Sequence, residues 1–262
     1  MHPEVLVDAG TDTTICHYDA INLDGAILNY ADSTYWTQVS GPSTLTFADA
    51  SDLLSSVSGF VAGTYELVLT GVSDYCSSHA DTLVITAFDV DISELSIDHV
   101  SCFGFADGEI QVEATDGVAP YEFSIDGGAF TANTVYNPLD TGAYTFVVQD
   151  LIGCTDTLVS TITQPDALTL SLTGTDVSCS TFLDGSVTST PAGGTTPYSY
   201  LWSNAAVTPD IFGLDSGQYI LTVTDDNGCT ISDSVVLTSP PPVLVDAGMD
   251  DSLCVYDAVS LN

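Results

Sequence analysis

The sequence predicts an all-β chain: tandem small β-sandwich domains arranged as beads on a string. Two observations carry this. Short β-branched and aromatic runs are broken at close intervals by Gly, Pro, Asn and Asp, and no stretch sustains a helical period. One signature, Gly-x-Tyr followed by strict alternation of apolar and polar residues, occurs three times: Gly63, Tyr65, Leu67, Leu69; then Gly142, Tyr144, Phe146, Val148; then Gly217, Tyr219, Leu221, Val223. Alternation of period two over seven residues is a half-buried strand. A cysteine follows each of these tyrosines by 10 or 11 residues, across a polar turn such as Asp225-Asp226-Asn227-Gly228. That reads as the penultimate strand, a hairpin and the last strand of a sandwich.

Internal repeats set the boundaries. VLVDAG at 5–10 returns at 243–248, and Cys16-His17-Tyr18-Asp19-Ala20 is answered by Cys254-Val255-Tyr256-Asp257-Ala258, so a second copy of the first unit begins near residue 241. Within the chain, VSCFGFADG at 100–108 pairs with VSCSTFLDG at 177–185, Pro120-Tyr121 with Pro197-Tyr198, and GAYTFVVQDLIGCTD at 142–156 with GQYILTVTDDNGCTI at 217–231. The expected division is 1–90, 91–165, 166–240 and a truncated start of a further domain at 241–262. Joints fall near Phe88–Ser93, at Gln164-Pro165-Asp166 and at Ser239-Pro240-Pro241-Pro242, and the proline-rich ones should be extended. The reading is of a segment cut from a longer chain, with any export signal and anchor outside it.

Charge excludes whole classes of partner. The 262 residues include no Lys or Arg and 36 acidic residues, a formal charge of −36. Phosphate backbones and anionic lipid both require cationic side chains, so nucleic acid and electrostatic docking on membranes are excluded as partners. No apolar run approaches the roughly 20 residues needed to span a bilayer, so membrane insertion is not expected. Asp outnumbers Glu by 30 to 6, and Ser and Thr together number 61, which suits turns and exposed strand faces. A hydrophobic content of 45% is enough to build cores, unlike an acidic disordered tail.

Seven cysteines fall two to a complete unit, with Cys254 repeating Cys16. The expected bridges are Cys16–Cys76, Cys102–Cys154 and Cys179–Cys229, one inside each bead. Zinc is the rival reading, but no C-x-x-C occurs, and separations of 50–60 residues suit a staple inside one sandwich. Disulfides imply an oxidising, extracytoplasmic site, and a loop of about 50 residues stabilises by roughly 4 kcal/mol in the chain-entropy model.

These motifs resemble a known family pairing. Ser101-Cys102-Phe103-Gly104, Asp107-Gly108, Pro120-Tyr121, Gly142, Tyr144, Asp150, Gly153-Cys154 and Gln164-Pro165 in unit two are similar to the SprB-type repeat of giant surface adhesins from gliding Bacteroidetes. Unit three keeps Gly193-Gly194, Pro197-Tyr198 and Gly228-Cys229 but has Ser180-Thr181 where Phe-Gly is usual. The first unit, with its VDAG…Cys opening, resembles a PKD-like Ig domain of the same proteins. The resemblance implies a long, secreted cell-surface filament exported by the type IX system, with these repeats as stalk. It also implies O-glycans at Asp-Ser/Thr-apolar-or-Thr tripeptides, which here mark Thr13, Ser33, Thr82, Thr157, Ser234 and Ser252.

Candidate chemistry is weighed against commoner roles. His17, His79 and His99 could each sit in a Ser/His/Asp set, but no G-x-S-x-G or H-E-x-x-H occurs, and with so many hydroxyls and carboxylates chance proximity is near certain. No enzyme is expected. Paired carboxylates could hydrolyse glycosides, yet Asp107-Gly108 and Asp184-Gly185 read as turn formers. No cofactor is expected: calcium could be held at Asp89, Asp91, Glu94 and Asp98 or at Asp225-Asp226-Asn227, but no D-x-D-x-D-G-x5-E loop occurs, hairpin turns use the same residues, and no position is favoured. Trp36, Trp202, Tyr121 and Tyr198 read as core residues before a sugar platform, the two tryptophans filling the centres of their sandwiches. The expected function is a structural stalk of a surface adhesin. The alternatives are a carbohydrate-binding accessory region of a secreted hydrolase or a self-assembling filament subunit. Expected partners are neighbouring repeats of the same chain, with other copies of the filament and surface polysaccharide as further candidates.

Overall fold

A computed structural model describes residues 4–179 and 182–241. The chain divides into two compact units, Met1–Gln164 and Pro165–Asn262. Every element of the described residues is a strand. Three separate hydrophobic clusters form, the first two within the first unit, the third within the second. The boundary between units falls between Gln164 and Pro165, and Phe88 lies inside the first unit.

Bead 1 comprises β1 (Leu6–Asp8), β2 (Thr13–Cys16), β3 (Ile21–Asn22), β4 (Ala26–Asn29), β5 (Ser33–Ser40), β6 (Thr46–Phe47), β7 (Ser56–Ser58), β8 (Gly63–Val72) and β9 (His79–Phe88). The main sheet has the order β2-β9-β8-β5 and faces the small sheet β3-β7-β6, with β1 pairing β4. β2 runs parallel to β9, placing Cys16 opposite Phe88. The alternation read in the sequence is realised on β8, where Tyr65, Leu67 and Leu69 are fully buried against Trp36. Each such side chain contributes about 1.5–3 kcal/mol on burial.

Bead 2 comprises β10 (Val90–Asp98), β11 (Gly108–Asp116), β12 (Glu122–Ile125), β13 (Val135–Leu139), β14 (Gly142–Gln149) and β15 (Thr155–Ile162); its two sheets are β10-β11-β13 and β12-β14-β15. Bead 3, in the second unit, comprises β16 (Thr169–Thr175), β17 (Gly185–Ala192), β18 (Ser199–Trp202), β19 (Ile211–Leu214), β20 (Gly217–Thr224) and β21 (Thr230–Leu237). Its sheets β16-β17-β19 and β18-β20-β21 repeat the topology of bead 2 strand for strand. Phe146 and Val148 in bead 2, and Leu221 and Val223 in bead 3, are fully buried at equivalent places on β14 and β20.

The repeated tyrosines cap the turns that precede these strands. The Tyr144 hydroxyl donates to the Asp140 carbonyl at 2.9 Å and Tyr219 to Asp215 at 3.0 Å, each four residues upstream. In bead 1, Tyr65 donates to the Val61 carbonyl at 3.1 Å and accepts from its N–H at 2.8 Å. Such hydroxyl-to-upstream-backbone bonds are the corner device of Ig-like sandwiches. The Gly193-Gly194 pair also has a steric reason. Both have positive φ, and a Cβ would lie 2.0 Å from the Ala167 carbonyl oxygen at Gly193 and 2.5 Å from Asp225 Oδ2 at Gly194.

Candidate functional site: the disulfide joint between beads 1 and 2

In each bead the first cysteine, here the opening cysteine, lies at the end from which the chain leaves, and the closing cysteine at the end where it enters. In bead 2, β10 and β15 both run from entry to exit. Ile92 N–H donates to Asp156 Oδ2 at 3.0 Å near the entry, and Val100 N–H to the Thr163 carbonyl at 3.0 Å near the exit. Cys102 comes just after the exit contact; Cys154 immediately precedes β15. Nine residues of strand at ~3.3 Å each separate the two ends by about 30 Å, whereas a disulfide needs Cα atoms within about 7 Å.

The intrabead pairings are therefore corrected. Cys16 bonds Cys154, with Cα atoms 5.3 Å apart and a sequence separation of 138. This rules out both Cys16–Cys76 and Cys102–Cys154. Cys16 lies opposite Phe88 at the end of β9, while Cys76 precedes the start of that ten-residue strand, so the same separation applies. Cys179–Cys229 is also overturned: Cys179 is an exposed free thiol, and Val177 N–H meets the Thr238 carbonyl at the exit end while Cys229 precedes β21 at the entry end. Cys102 and Cys229 are themselves disulfide-bonded. Cys254 lies outside the described residues. Spacing alone concealed this, because a 50-residue separation does not say at which end of a sandwich each cysteine emerges.

Around the Cys16–Cys154 bond the two beads interlock. Gly117 N–H of bead 2 donates to the Asp89 carbonyl, while His17 N–H, beside the bond, donates to the Phe88 carbonyl of its own bead at 2.8 Å. Thr155 N–H donates to the Tyr18 hydroxyl at 3.1 Å. Cys16 and Phe88 pack against the core of bead 2. The His17 Nδ1 atom lies 3.1 Å from Asp89 Oδ1 without hydrogen-bond geometry. Asp91 has its carboxyl raised above the ordinary range, chiefly by the charge of Asp89, then by desolvation and by Asp156 and Asp116. The joint thus brings like charges together, and the disulfide and backbone bonds hold it against that repulsion.

The residues considered for chemistry have structural positions. His79 Nδ1 accepts the Val7 N–H at 3.4 Å and His99 Nδ1 the Thr163 N–H at 3.2 Å, so those nitrogens are engaged with backbone. Asp225 is buried, and both its oxygens accept amide protons: Oδ1 from Cys229 and Oδ2 from Thr195, each at 2.8 Å. Asp150 repeats this with Cys154 at 2.8 Å and Val118 at 2.9 Å. The Asp-x-x-Gly-Cys spacing is thus a loop clamp, with its lone pairs directed at N–H groups. Asp107 and Asp184 clip the opening loops: each accepts the backbone N–H of a serine six residues earlier, Ser101 or Ser178, at 3.0 Å, and also its hydroxyl. These bonds hold both carboxyls below the ordinary range, the serine hydroxyl being the largest cause. Among the described residues no group of three or more His, Cys, Asp or Glu side chains is arranged to hold a metal ion.

Trp36 and Trp202 are buried, their Nε1–H groups donating to the carbonyls of Leu53 and Thr208. Tyr121 and Tyr198 donate to the carbonyls of Asp116 and Gly193, each five residues upstream. Thr13, Ser33, Thr82, Thr157 and Ser234 are exposed, and Thr157 and Ser234 occupy equivalent last strands, each at the edge of its sheet. Ser252 lies outside the described residues. Among the described residues no helix is long and apolar enough to cross a membrane.

The family model of the SprB repeat matches residues 96–130 and 171–207. No curated protein matches the chain. Among solved structures, the PKD domain from KIAA 1837 protein is 24% identical over 31% of this chain and 83% of that one, with a TM-score of 0.29. The N-terminal eight Ig domains of Down Syndrome Cell Adhesion Molecule are 12% identical over 91% of this chain, which spans only 36% of that fragment, at a TM-score of 0.48. Fibronectin(III)-like modules of Clostridium thermocellum CbhA are 13% identical over 61% of this chain and 94% of theirs, at 0.29. At these scores no functional argument rests on the structural likenesses. Segments of beads 2 and 3 are thus similar to the SprB repeat, and the serine–aspartate clips lie within the matched segments.

Proposed function

We propose that this chain is a stretch of stalk in a large secreted, cell-surface adhesin or filament, of the kind that serves adhesion and gliding motility. The observation that carries the reading is the pair of segments that match the SprB repeat, whose carboxylates, tyrosines and glycines serve the backbone and shape loops. The Cys16–Cys154 bond supports an oxidising, extracytoplasmic location. The absence of Lys and Arg throughout the chain leaves nucleic acid and anionic lipid without a counter-charge. The partners of these beads are, first, the neighbouring repeats of the same chain. Glycans at exposed Thr157 and Ser234 would cover equivalent sheet edges and keep adjacent filaments from pairing.

An antiserum against the chain, applied to intact producer cells, should label their surface without permeabilisation. Cells lacking the protein should attach and move less well on a solid support. Labelling confined to lysed cells, with unchanged attachment and movement, would overturn the proposal. Strong binding of the purified chain on a glycan array would instead favour the carbohydrate-binding alternative.

A further inference from the structure

We propose that Cys179 is the covalent attachment point of bead 3 for the domain that follows it on the chain, taking that domain's closing cysteine in a disulfide across the joint. The joint between beads 1 and 2 supplies the rule. There the exit-end cysteine of one bead, Cys16, bonds the closing cysteine of the next, Cys154. Cys179 holds the same station in bead 3. Val177 N–H meets the Thr238 carbonyl where β21 ends, so the thiol two residues on stands at the end from which the chain leaves. Cys102, the same residue of the preceding repeat, is disulfide-bonded, whereas Cys179 is an exposed free thiol. No partner is offered inside its own bead, because Cys229 precedes β21 at the entry end and is itself disulfide-bonded.

The surroundings of the thiol match those of the bonded joint. Beside Cys16, Phe88 packs on the core of bead 2 and the Tyr18 hydroxyl accepts the Thr155 N–H. Beside Cys179, Phe182 and Leu183 are more than half exposed, and the bond from Phe182 N–H to the Cys179 carbonyl holds them next to the thiol. Single apolar side chains on a surface are ordinary; here two flank a free thiol at the exit of a bead. The sequence names the occupant. Residues 243–248 repeat the VLVDAG of bead 1 and Cys254 repeats Cys16, so a bead of the first kind comes next. In bead 1 the closing cysteine, Cys76, precedes β9 and stands at the entry end. Its counterpart in the following bead would open on the joint with bead 3, and it is the partner of Cys179. The 262 residues do not include that counterpart, in keeping with the free thiol. Cys254 lies outside the described residues and, as the counterpart of an exit-end cysteine, is not the partner. Bond formation takes two protons and two electrons from the two thiols. The disulfide of an exported thiol oxidant accepts them by exchange and is left as a dithiol.

The test is disulfide mapping of the whole protein from its producer, with free thiols alkylated at isolation and the chain cut without reduction. The 262 residues hold no Lys or Arg, so cleavage ahead of Asp serves; it places Cys179 on residues 176–183, Cys254 on 251–256, Cys16 on 12–18 and Cys154 on 150–155. The 176–183 peptide should emerge joined to a cysteine peptide from the domain after bead 3, and a phosphine reductant should separate the two. Cys179→Ser should abolish the joined species and leave one newly alkylatable cysteine in that following domain. Serine in place of an exposed thiol leaves the bead folded. Recovery of 176–183 as an alkylated free thiol, joined to 251–256, or joined to 176–183 of a second copy would overturn the proposal. The 12–18 and 150–155 peptides, which should emerge joined, report the oxidising location on which this proposal rests. Their bond intact beside a free Cys179 would sink the attachment and leave the stalk reading standing.

Discussion

Beads 2 and 3 share a topology and differ at one residue that matters. In both, the opening loop is held the same way: serine and aspartate form the clip, the exit contact ties the loop to the last strand at 3.0 and 3.1 Å, and a 3.0 Å turn bond runs from Phe105 N–H to the Cys102 carbonyl or from Phe182 N–H to the Cys179 carbonyl. Yet Cys102 is nearly buried and disulfide-bonded, whereas Cys179 is an exposed free thiol. The clip, the exit contact and the turn bond are the same with and without a bonded cysteine. Clips, clamps and core therefore specify the bead, and the cysteine is available for a bond outside it.

The largest expected effects separate core from joint. Trp202→Ala and Phe146→Ala should each cost about 3–5 kcal/mol, as large-to-small substitutions at buried aromatics do. Because the two side chains belong to separate clusters, hydrogen exchange should quicken only in the bead that carries the change. Equal loss of protection in both beads would mean that the cores are not independent. Next in size are the clamps. Asp225→Ala in bead 3 and Asp150→Ala in bead 2 leave amide N–H groups without their acceptor and should each cost about 3 kcal/mol, given ~1–3 per buried unsatisfied group. Denaturant midpoints of the two variants should match; a large difference would show that the joint at Cys154 reinforces one clamp.

The clips and the joint should respond to acid in opposite directions. Asp107 and Asp184 have lowered carboxyls in the folded state. Their contribution is complete above the ordinary Asp value of ~3.9 and is lost as pH falls through their folded values. Asp91 is raised, so its charge opposes the folded joint above its folded value, and that opposition is relieved as pH falls through it. Asp91→Asn should therefore stabilise bead 1 against bead 2 at neutral pH and flatten the upper part of the acid titration. Asp184→Asn should remove part of the loss at the lower end. Melting temperature across pH 3 to 7 checks both. The smallest effect belongs to Cys179: Cys179→Ser should change stability by no more than about 0.5 kcal/mol, and maleimide should label that residue without reductant. Its protection from maleimide in the folded, unreduced chain would erase the contrast with Cys102.

Much of the architecture is legible in the sequence because strands announce themselves locally. Alternation at Tyr65-x-Leu67-x-Leu69 fixes which face is buried, since successive side chains on a pleated strand point to opposite sides. The repeated Gly-x-Tyr marks a turn and then a penultimate strand in all three beads, and Trp36 and Trp202 sit in their cores as their apolar settings imply. The Asp-x-x-Gly-Cys spacing reads as a hairpin, yet its composition suits a calcium loop equally well. Only the folded loop shows both oxygens of Asp225 taken by N–H donors.

Cysteine pairing was decided by tertiary structure alone. The sequence determined which residues alternate, where the repeats begin and that seven thiols occur at regular places. Whether two of those thiols can meet depends on the end of the sandwich at which each one emerges. In bead 2 the strand leading to Cys102 and the strand leading away from Cys154 run side by side in the same direction. A cysteine beyond the far end of one such strand and a cysteine ahead of the near end of the other lie at opposite ends of the sandwich, about 30 Å apart. Cys16 and Cys154, distant in sequence, meet because the exit end of one bead is the entry end of the next.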